Sequence, residues 1–324
     1  RLVQIASGYR KDAHDKRDRP RMLKWMAARL DTIGARKKAA NARTTWPARS
    51  RSDIRFADAD GVTFRYRQAG KGQPIFFAAD PPMTLEGYDR LLEVYSRDFQ
   101  VFVFELPGMG FSVPGFWQDF RFFQANDSIA ALIASLTSEP AILAFSCVSG
   151  LGALDIAGRH PARVSHLIQI QTPNWNEAIR WKKMRDPKNV LAKPFLGQIA
   201  MRKLARSRAP LWLDLAVGNK ECLPGFCACA TEALDHGASW AMATAFQSYL
   251  PEKEPPLARV VQPALAIWGN NDGSHRSTDR QSSLWLCDHP ASRIVQHDDL
   301  GHFPELENVT LIHGEIVRFV GENA

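Results

Sequence analysis

The sequence predicts a doubly wound, mostly parallel α/β sheet with an inserted helical cap and a basic N-terminal helical arm. The first observation is a set of five short, continuous apolar runs, which are typical of strands buried on both faces of a parallel sheet. Helical stretches alternate with these runs, as in a doubly wound sheet. The second observation is a long segment with helical periodicity and several tryptophans that interrupts the alternation. The five runs are residues 74–79, 100–104, 141–145, 164–171 and 264–268.

Four segments follow from these patterns along the 324 residues. Residues 1–52 form the basic arm. Residues 53–172 begin with a hairpin of alternating apolar and polar residues and carry the first part of the sheet. Residues 173–257 form the helical cap, because they hold no buried-strand run, and residues 258–324 complete the sheet. The length allows a full apolar core without support from disulfides or metal ions.

The positive charge of the chain is concentrated in the arm. The net charge is +7, and residues 1–52 contain 15 Lys and Arg against 4 Asp, so the remainder is mildly acidic. The body therefore lacks the basic surface that nucleic-acid binding requires, and we expect no nucleic-acid partner.

Apolar residues recur at helical spacing inside the arm, with Lys and Arg between them. They predict a basic amphipathic helix that ends near Gly34 or continues through the next basic segment. Three surroundings fit such a helix: an anionic membrane surface, an acidic partner such as an acyl carrier protein, or the chain's own domain. The apolar positions are Met22, Leu23, Met26, Leu30 and Ile33.

The cysteines indicate a reducing, cytoplasmic setting. There are five, an odd number without a repeating spacing, so a secreted disulfide framework is not expected. Cys222, Cys227 and Cys229 are interpreted as small apolar fillers of a helix, since no second Cys/His pair at zinc-like spacing follows. We therefore expect no metal ion and no cofactor. No apolar run is long enough for a transmembrane segment.

Residues 142–152 carry the main functional signal. An apolar strand ends, a sharp turn at Ser146 and Cys147 follows, and a helix with small residues begins. This segment resembles the nucleophile elbow of the α/β-hydrolase superfamily, in which a strained turn presents the nucleophile at a helix N-terminus. On the C-terminal side, Ser149 and Gly150 favour Cys147 as the nucleophile. On the N-terminal side, Phe145 is a poor fit for Cys147, whereas the small Ala144 would suit Ser146 as the nucleophile.

A second spacing distinguishes between the two candidates. In the superfamily, the helix after the elbow commonly ends in His-Pro-x-Arg-Val, thirteen residues after the nucleophile. In this chain the phrase stands at residues 160–164, and His160 lies thirteen residues after Cys147. The resemblance therefore assigns the nucleophile to Cys147, with Ser146 beside it at the pocket.

Two further phrases resemble those of the superfamily and follow in the order nucleophile, acid, histidine. Residues 267–272 resemble the W-G-x-x-D turn, which implies that Asp272 orients the histidine. Residues 301–307 resemble G-H-x-P-x-x-E, which implies that His302 is the general base. With a cysteine nucleophile, such a histidine can form a resting thiolate–imidazolium pair.

The loop that would complete the oxyanion hole departs from the pattern of the superfamily. Most relatives have His-Gly after the first long strand, whereas this chain has Ala79-Asp80, which makes Pro81 the next donor. Proline has no N–H. If the register is one residue earlier, the Asp80 N–H is the donor and its carboxylate lies close to the thiol; the Val148 N–H is available in either register. Losing one oxyanion donor costs on the order of 10²–10³ in rate, so ordinary fast ester hydrolysis is not expected.

Together these features predict an enzyme with a Cys-His-Asp triad that transfers acyl groups through a covalent acyl-cysteine. A thiolate accepts acyl groups readily from thioesters, which favours a thioesterase, hydrolase or acyltransferase acting on an acyl-thioester or ester. The substrate is a small molecule or an acyl group on a carrier protein. Two alternatives stay open: a lyase or non-ester hydrolase in which Asp80 is an acid or base, and a non-catalytic binding protein with a degraded oxyanion loop.

Overall fold

A computed structural model of the chain describes residues 18–45, 51, 53–118 and 120–323. The remaining parts of the predicted arm, residues 1–17, 46–50 and 52, lie outside the described residues. The strands are β1 (Ile54–Ala59), β2 (Val62–Ala69), β3 (Pro74–Ala79), β4 (Gln100–Glu105), β5 (Met109–Gly110), β6 (Val113–Pro114), β7 (Ala141–Ser146), β8 (Val164–Ile170), β9 (Ser239–Trp240), β10 (Ala264–Gly269) and β11 (Arg293–His297).

The main sheet has the strand order β1-β2-β4-β3-β7-β8-β10-β11, with β6 paired to β2. Strand β2 is antiparallel to β1 and β4, as the predicted hairpin requires, and all strands from β4 to β11 along this order are parallel. Each of the five apolar runs forms one of the buried parallel strands. The prediction of a doubly wound, mostly parallel α/β sheet is thus confirmed.

Helices cover both faces of the sheet and bury two large apolar clusters against it. The burial arises because each central strand presents apolar side chains to both faces. The helices are α1 (Asp18–Thr45), α2 (Asp89–Tyr95), α3 (Phe122–Leu136), α4 (Cys147–Arg159), α5 (Trp175–Arg185), α6 (Leu196–Ala216), α7 (Leu223–Asp235), α8 (Met242–Thr244), α9 (Pro304–Glu307) and α10 (Val309–Glu322).

The helices α5 to α8 are inserted between β8 and β10, and the π-helical turn Ala245–Tyr249 follows α8 directly. Side chains from α5, α6 and this turn line a cavity at the carboxyl ends of the parallel strands. This inserted group is the helical cap that the sequence predicts. The exact limits of the four predicted segments stay a prediction.

Helix α1 does not end near Gly34 but continues to Thr45. It packs on the rest of the chain through small and polar residues and through the Trp25 ring, which contacts the rings of Phe116 and Trp117. The residues buried in this contact are Ala27, Ala28, Arg29 and Thr32, whereas Met22, Met26 and Ile33 are exposed. No helix among the described residues is long and apolar enough to cross a membrane.

A buried ion pair supports the loop after β4. The Arg65 guanidinium donates to Glu105 Oε1 at 2.8 Å, and the Phe111 N–H donates to Glu105 Oε2 at 2.6 Å. Arg65 also pairs with Glu86. Gly110 has a positive φ of 55°, and a Cβ on it would collide with the Glu105 carboxyl group. The Glu105 carboxylate thus fixes the turn that borders the cavity.

Candidate active site

The cavity under the cap has a volume of about 90 Å³ and opens on the carboxyl ends of β3 and β7. Asp80 and Pro81 follow β3, and Cys147 and Val148 begin the helix after β7. These residues and His302 form the floor of the cavity, where Asp80 and His302 provide its polar groups. Most of the wall is apolar, and it includes Leu106, Met109, Phe120, Ile129, Trp181, Trp212, Met242, Phe246, Tyr249 and Leu250.

Cys147 occupies a strained turn between β7 and α4. Its φ is 53°, in the left-handed region that side chains other than glycine rarely adopt. Such strain persists only where the surrounding structure holds the residue in place, and it is concentrated at functional sites. The helix after the turn lies close to the end of β8, because a Cβ on Gly150 would come within 2.0 Å of Thr172 Oγ1.

Ser146 and Cys147 have different surroundings. The Ser146 hydroxyl is buried and donates to Glu305 Oε1 at 3.1 Å. Cys147 is 4% exposed and lines the cavity, whereas Ser146 is not among the lining residues. The geometry therefore favours Cys147 as the reactive residue of the pair, and Ser146 supports the turn.

His302 and Asp272 come from the loops after β11 and β10, and the fold brings them together. Their Nδ1 and Oδ2 atoms are 2.6 Å apart. The Asp272 carboxylate also accepts from the Ser274 N–H at 2.7 Å and from the Gln171 amide at 3.0 Å. Burial alone would raise the pKa of Asp272, but the charge and hydrogen bond of His302 lower it to about 2. Asp272 is thus a carboxylate that orients the His302 ring.

The other ring nitrogen of His302 is bonded to a second carboxylate. His302 Nε2 lies 2.9 Å from Asp80 Oδ2. Burial alone would lower the pKa of His302, but Asp272, Cys147 and Asp80 together raise it well above its usual range. Burial raises the pKa of the Cys147 thiol, and the charge of Asp80 raises it further. The surroundings thus oppose the Cys147 thiolate and favour the charged form of the His302 ring.

The oxyanion loop contains few free donors. The Asp80 N–H donates to the Tyr88 hydroxyl at 3.2 Å, so it is already engaged. Pro81 lines the cavity but has no N–H. The Val148 N–H belongs to the first turn of α4, where N–H groups have no partner within the helix.

His275 is a site residue that the sequence motifs did not identify. Its Nε2 lies 4.0 Å from Cys147 Sγ, and its Nδ1 contacts Thr278 Oγ1 at 3.1 Å. The ring stacks on His302 with the ring centres 5.4 Å apart. Burial lowers the pKa of His275 to about 3, so the ring is neutral near pH 7. The one available signal was its position three residues after Asp272.

Glu305 is a second residue that the motifs missed. It is fully buried, and burial raises the pKa of Glu305 to about 8. Its Oε1 accepts from the Ser146 hydroxyl, so Glu305 supports the turn between β7 and α4 through Ser146. The neighbouring Glu307, which matches the last position of the histidine phrase, accepts instead from the backbone N–H groups of Gly218 and Gly301.

Comparisons with known proteins agree with this architecture. A family model described as the alpha/beta hydrolase fold matches residues 82–308. No curated protein matches the sequence.

Several solved structures superpose on the chain at low sequence identity. An epoxide hydrolase from Bacillus megaterium has a TM-score of 0.67 at 16% identity, covering 82% of this chain and 100% of that one. The Cif epoxide hydrolase from Acinetobacter nosocomialis has a TM-score of 0.63 at 15% identity, covering 90% and 95%. A thermophilic esterase from Thermogutta terrifontis has a TM-score of 0.63 at 18% identity, covering 83% and 98%. At these identities the likeness establishes the fold alone.

Proposed function

Because this chain belongs to the α/β-hydrolase fold family, we propose that it is an enzyme that transfers acyl groups through a covalent acyl-cysteine at Cys147. The proposal rests on one observation. Cys147 sits at a left-handed φ between β7 and α4 and faces the cavity beside the His302–Asp272 pair. That arrangement gives a nucleophile, a base and an orienting acid, which are the three parts of a catalytic triad.

In the first step, Cys147 Sγ attacks the carbonyl carbon of an acyl-thioester or ester. The thiol proton passes to the Asp80–His302 pair, which is joined by the 2.9 Å hydrogen bond and accepts one proton as a unit. The carbonyl oxygen becomes an oxyanion next to the Val148 N–H. The carbon–sulfur or carbon–oxygen bond to the leaving group then breaks, and the same pair returns the proton to the leaving thiol or alcohol.

In the second step, water attacks the acyl-cysteine and the Asp80–His302 pair takes up one proton from it. The carbon–sulfur bond to Cys147 then breaks and the pair returns the proton to Sγ, which gives a carboxylic acid and the free Cys147 thiol. An amine or alcohol that entered in place of water would give acyl transfer with the same proton movements. Asp272 stays ionised throughout and stabilises the imidazolium.

The wall of the cavity favours an apolar acyl group. Trp181, Trp212 and Phe246 face the floor on which Cys147 lies, and burying an apolar chain against such surfaces is favourable. The leaving group would then point towards the polar floor. An acidic carrier protein that docks on the basic helix α1 stays a prediction.

A second candidate rests on the Asp80–His302 contact. Asp80 takes the ring nitrogen that would otherwise face the thiol, and this contact favours an acid–base pair that acts without a covalent acyl-cysteine. A lyase or a non-ester hydrolase would use the site in this way. Epoxide hydrolases are among the solved structures that share the fold, so epoxides belong in the substrate panel.

The test uses a panel of acyl-thioesters, esters and epoxides with wild-type protein, Cys147→Ala and the matched control Cys287→Ala. We expect turnover of an acyl-thioester or ester that Cys147→Ala abolishes and Cys287→Ala retains, because Cys287 lies outside the cavity. Turnover of any substrate that survives in Cys147→Ala would favour the second candidate. If the wild-type protein turns over no member of the panel, the acyl-transfer proposal is wrong.

A further inference from the structure

Three metal-binding side chains converge on the floor of the cavity. The Sγ atom of Cys147 and one ring nitrogen each of His275 and His302 all lie within 4.8 Å of one another. Thiolate and imidazole are the ligands that Zn²⁺ favours. We propose that Cys147, His275 and His302 form a Zn²⁺ site whose fourth position opens on the cavity.

The spacing of the three donor atoms is close to that of a tetrahedral zinc site. With Zn–S about 2.3 Å and Zn–N about 2.0–2.1 Å, neighbouring ligand atoms are about 3.5 Å apart. Cys147 Sγ and His275 Nε2 are 4.0 Å apart, so a movement of about half an ångström closes this edge. The other two edges of the donor triangle are no longer than 4.8 Å.

Both imidazoles are already held in the way that metal-binding histidines are held. His302 Nδ1 is 2.6 Å from the Asp272 carboxylate, and His275 Nδ1 is 3.1 Å from Thr278 Oγ1. Such partners on Nδ1 fix the ring orientation and leave Nε2 as the metal-binding atom, although Asp80 must give up its 2.9 Å contact with His302 Nε2. Two histidines with this second layer of contacts, both with a ring nitrogen within 4.8 Å of one cysteine sulfur, go beyond a chance meeting of donor atoms.

A carboxylate lies next to the proposed ligands, since Asp80 Oδ2 is 2.9 Å from His302 Nε2. Zn²⁺ would bind Cys147 Sγ in place of its proton and His302 Nε2 in place of Asp80. Asp80 loses its bond to His302 Nε2 and lies beside the ion, where it can occupy the fourth position or accept from a bound water. Three protein ligands with one open position are typical of a reactive zinc site rather than a closed structural one.

The cluster is distinct from the cysteines that the sequence singled out. Among residues 18–45, 51, 53–118 and 120–323, Cys222, Cys227 and Cys229 take part in no group of three or more donor atoms with this spacing. A metal ion on Cys147 would occupy the sulfur that attacks the acyl group. Inhibition by Zn²⁺ therefore rests on the proposed function, whereas the metal site itself does not.

The test is a titration of the full chain with Co²⁺, a spectroscopic substitute for Zn²⁺, followed by displacement with Zn²⁺. We expect one equivalent of Co²⁺ to give a thiolate-to-cobalt charge-transfer band and the visible absorption of a four-coordinate ion. Cys147→Ser should remove the charge-transfer band, and His275→Gln should weaken binding by about 100-fold or more, since even second-layer partners contribute 10–100-fold. The matched controls Cys287→Ser and His160→Gln, which remove a cysteine outside the cluster and an exposed histidine, should leave the titration unchanged.

X-ray absorption on Zn²⁺-loaded wild-type protein gives a second readout that needs no variant to fold. One sulfur at about 2.3 Å with nitrogen or oxygen ligands at about 2.0–2.1 Å supports the site. The absence of a sulfur ligand, or Co²⁺ binding that Cys147→Ser and His275→Gln leave unchanged, would overturn it. Neither readout depends on turnover, so a protein that binds zinc but never becomes acylated would refute the proposed function and leave this inference standing.

Discussion

His302 Nε2 lies 2.9 Å from the Asp80 carboxylate, on the side of the ring that faces the Cys147 thiol. A conventional triad leaves this nitrogen for the nucleophile. In this chain a carboxylate takes it, and both the pKa of His302 and the pKa of the thiol are raised. In the proposed mechanism, the reactivity of Cys147 therefore depends on Asp80 as well as on His302 and Asp272.

Replacing Asp80 with Asn should make Cys147 more reactive. The amide keeps the shape of the side chain but removes the negative charge that holds the imidazolium and opposes thiolate formation. We expect alkylation of Cys147 at pH 7 to accelerate several-fold to about tenfold, which corresponds to a fall of up to about one unit in the thiol pKa. Peptide mapping of iodoacetamide-labelled protein measures this rate, and a slower reaction in Asp80→Asn would contradict the assigned role.

Replacing Asp272 with Asn should impair catalysis while the fold is retained. The amide no longer stabilises the imidazolium of His302 and can hold the ring in the wrong tautomer. We expect kcat to fall on the order of 10²–10⁴, the contribution typical of general acid–base catalysis. Asp279→Asn is the matched control, since Asp279 caps a short turn through the Gln281 N–H and does not contact His302. Equal losses in the two variants would rule out a specific role for Asp272.

Glu305 predicts a pH-dependent stability. Burial raises its pKa from the ordinary value of 4.5 to about 8. Between these values the folded chain keeps a proton that the unfolded chain has released, so Glu305 makes the protein less stable as the pH rises through this window. Glu305→Gln keeps the acceptor for Ser146 but cannot ionise. Relative to the wild type, the free energy of unfolding of the variant should increase by about 1 kcal/mol for each pH unit between pH 5 and 8. Urea unfolding measures this difference. A stability difference that stays constant with pH would refute the buried neutral acid.

The buried ion pair of Arg65 and Glu105 should be important for stability. Glu105→Ala leaves the Arg65 guanidinium with Glu86 alone and removes the acceptor for the Phe111 N–H. We expect a loss of about 3–5 kcal/mol in the free energy of unfolding, the usual cost of removing one partner of a buried pair. The exposed pair of Arg90 and Glu93 gives the control, and Glu93→Ala should leave the melting temperature unchanged. Similar melting temperatures for the two variants would contradict the structural role of Glu105.

The sequence was sufficient to predict the buried strands and the β1–β2 hairpin at one edge of the sheet, but not strand β11 at the other edge. Residues 141–145 and 264–268 are continuous apolar runs because both faces of their strands are covered. Strand β11 was missed because it lies at the edge, where its five residues are partly buried or exposed and form no long apolar run. Its pattern resembles that of many surface segments, and only its pairing with β10 distinguishes it.

The motifs likewise identified Cys147, Asp272 and His302 but not the residues that modify them. Gln171, Glu305 and His275 act through contacts between distant parts of the chain, and 128 residues separate His275 from Cys147. Asp80 was recognised as unusual for its position in the oxyanion loop. Its bond to His302, across 222 residues, depends on how the loops after β3 and β11 meet and has no local sequence signal.

The most direct test of the acyl-cysteine is the intact mass of the protein after rapid mixing with acyl-thioesters that differ in chain length. We predict a mass increase of one acyl group in the wild-type protein, mapped to the peptide that contains Cys147 and absent in Cys147→Ala. The acyl-enzyme should appear before the carboxylic acid product and decay as the thioester is consumed. Steady turnover of the same thioester with no acyl group on Cys147 at any time, or with an undiminished rate in Cys147→Ala, would contradict the mechanism.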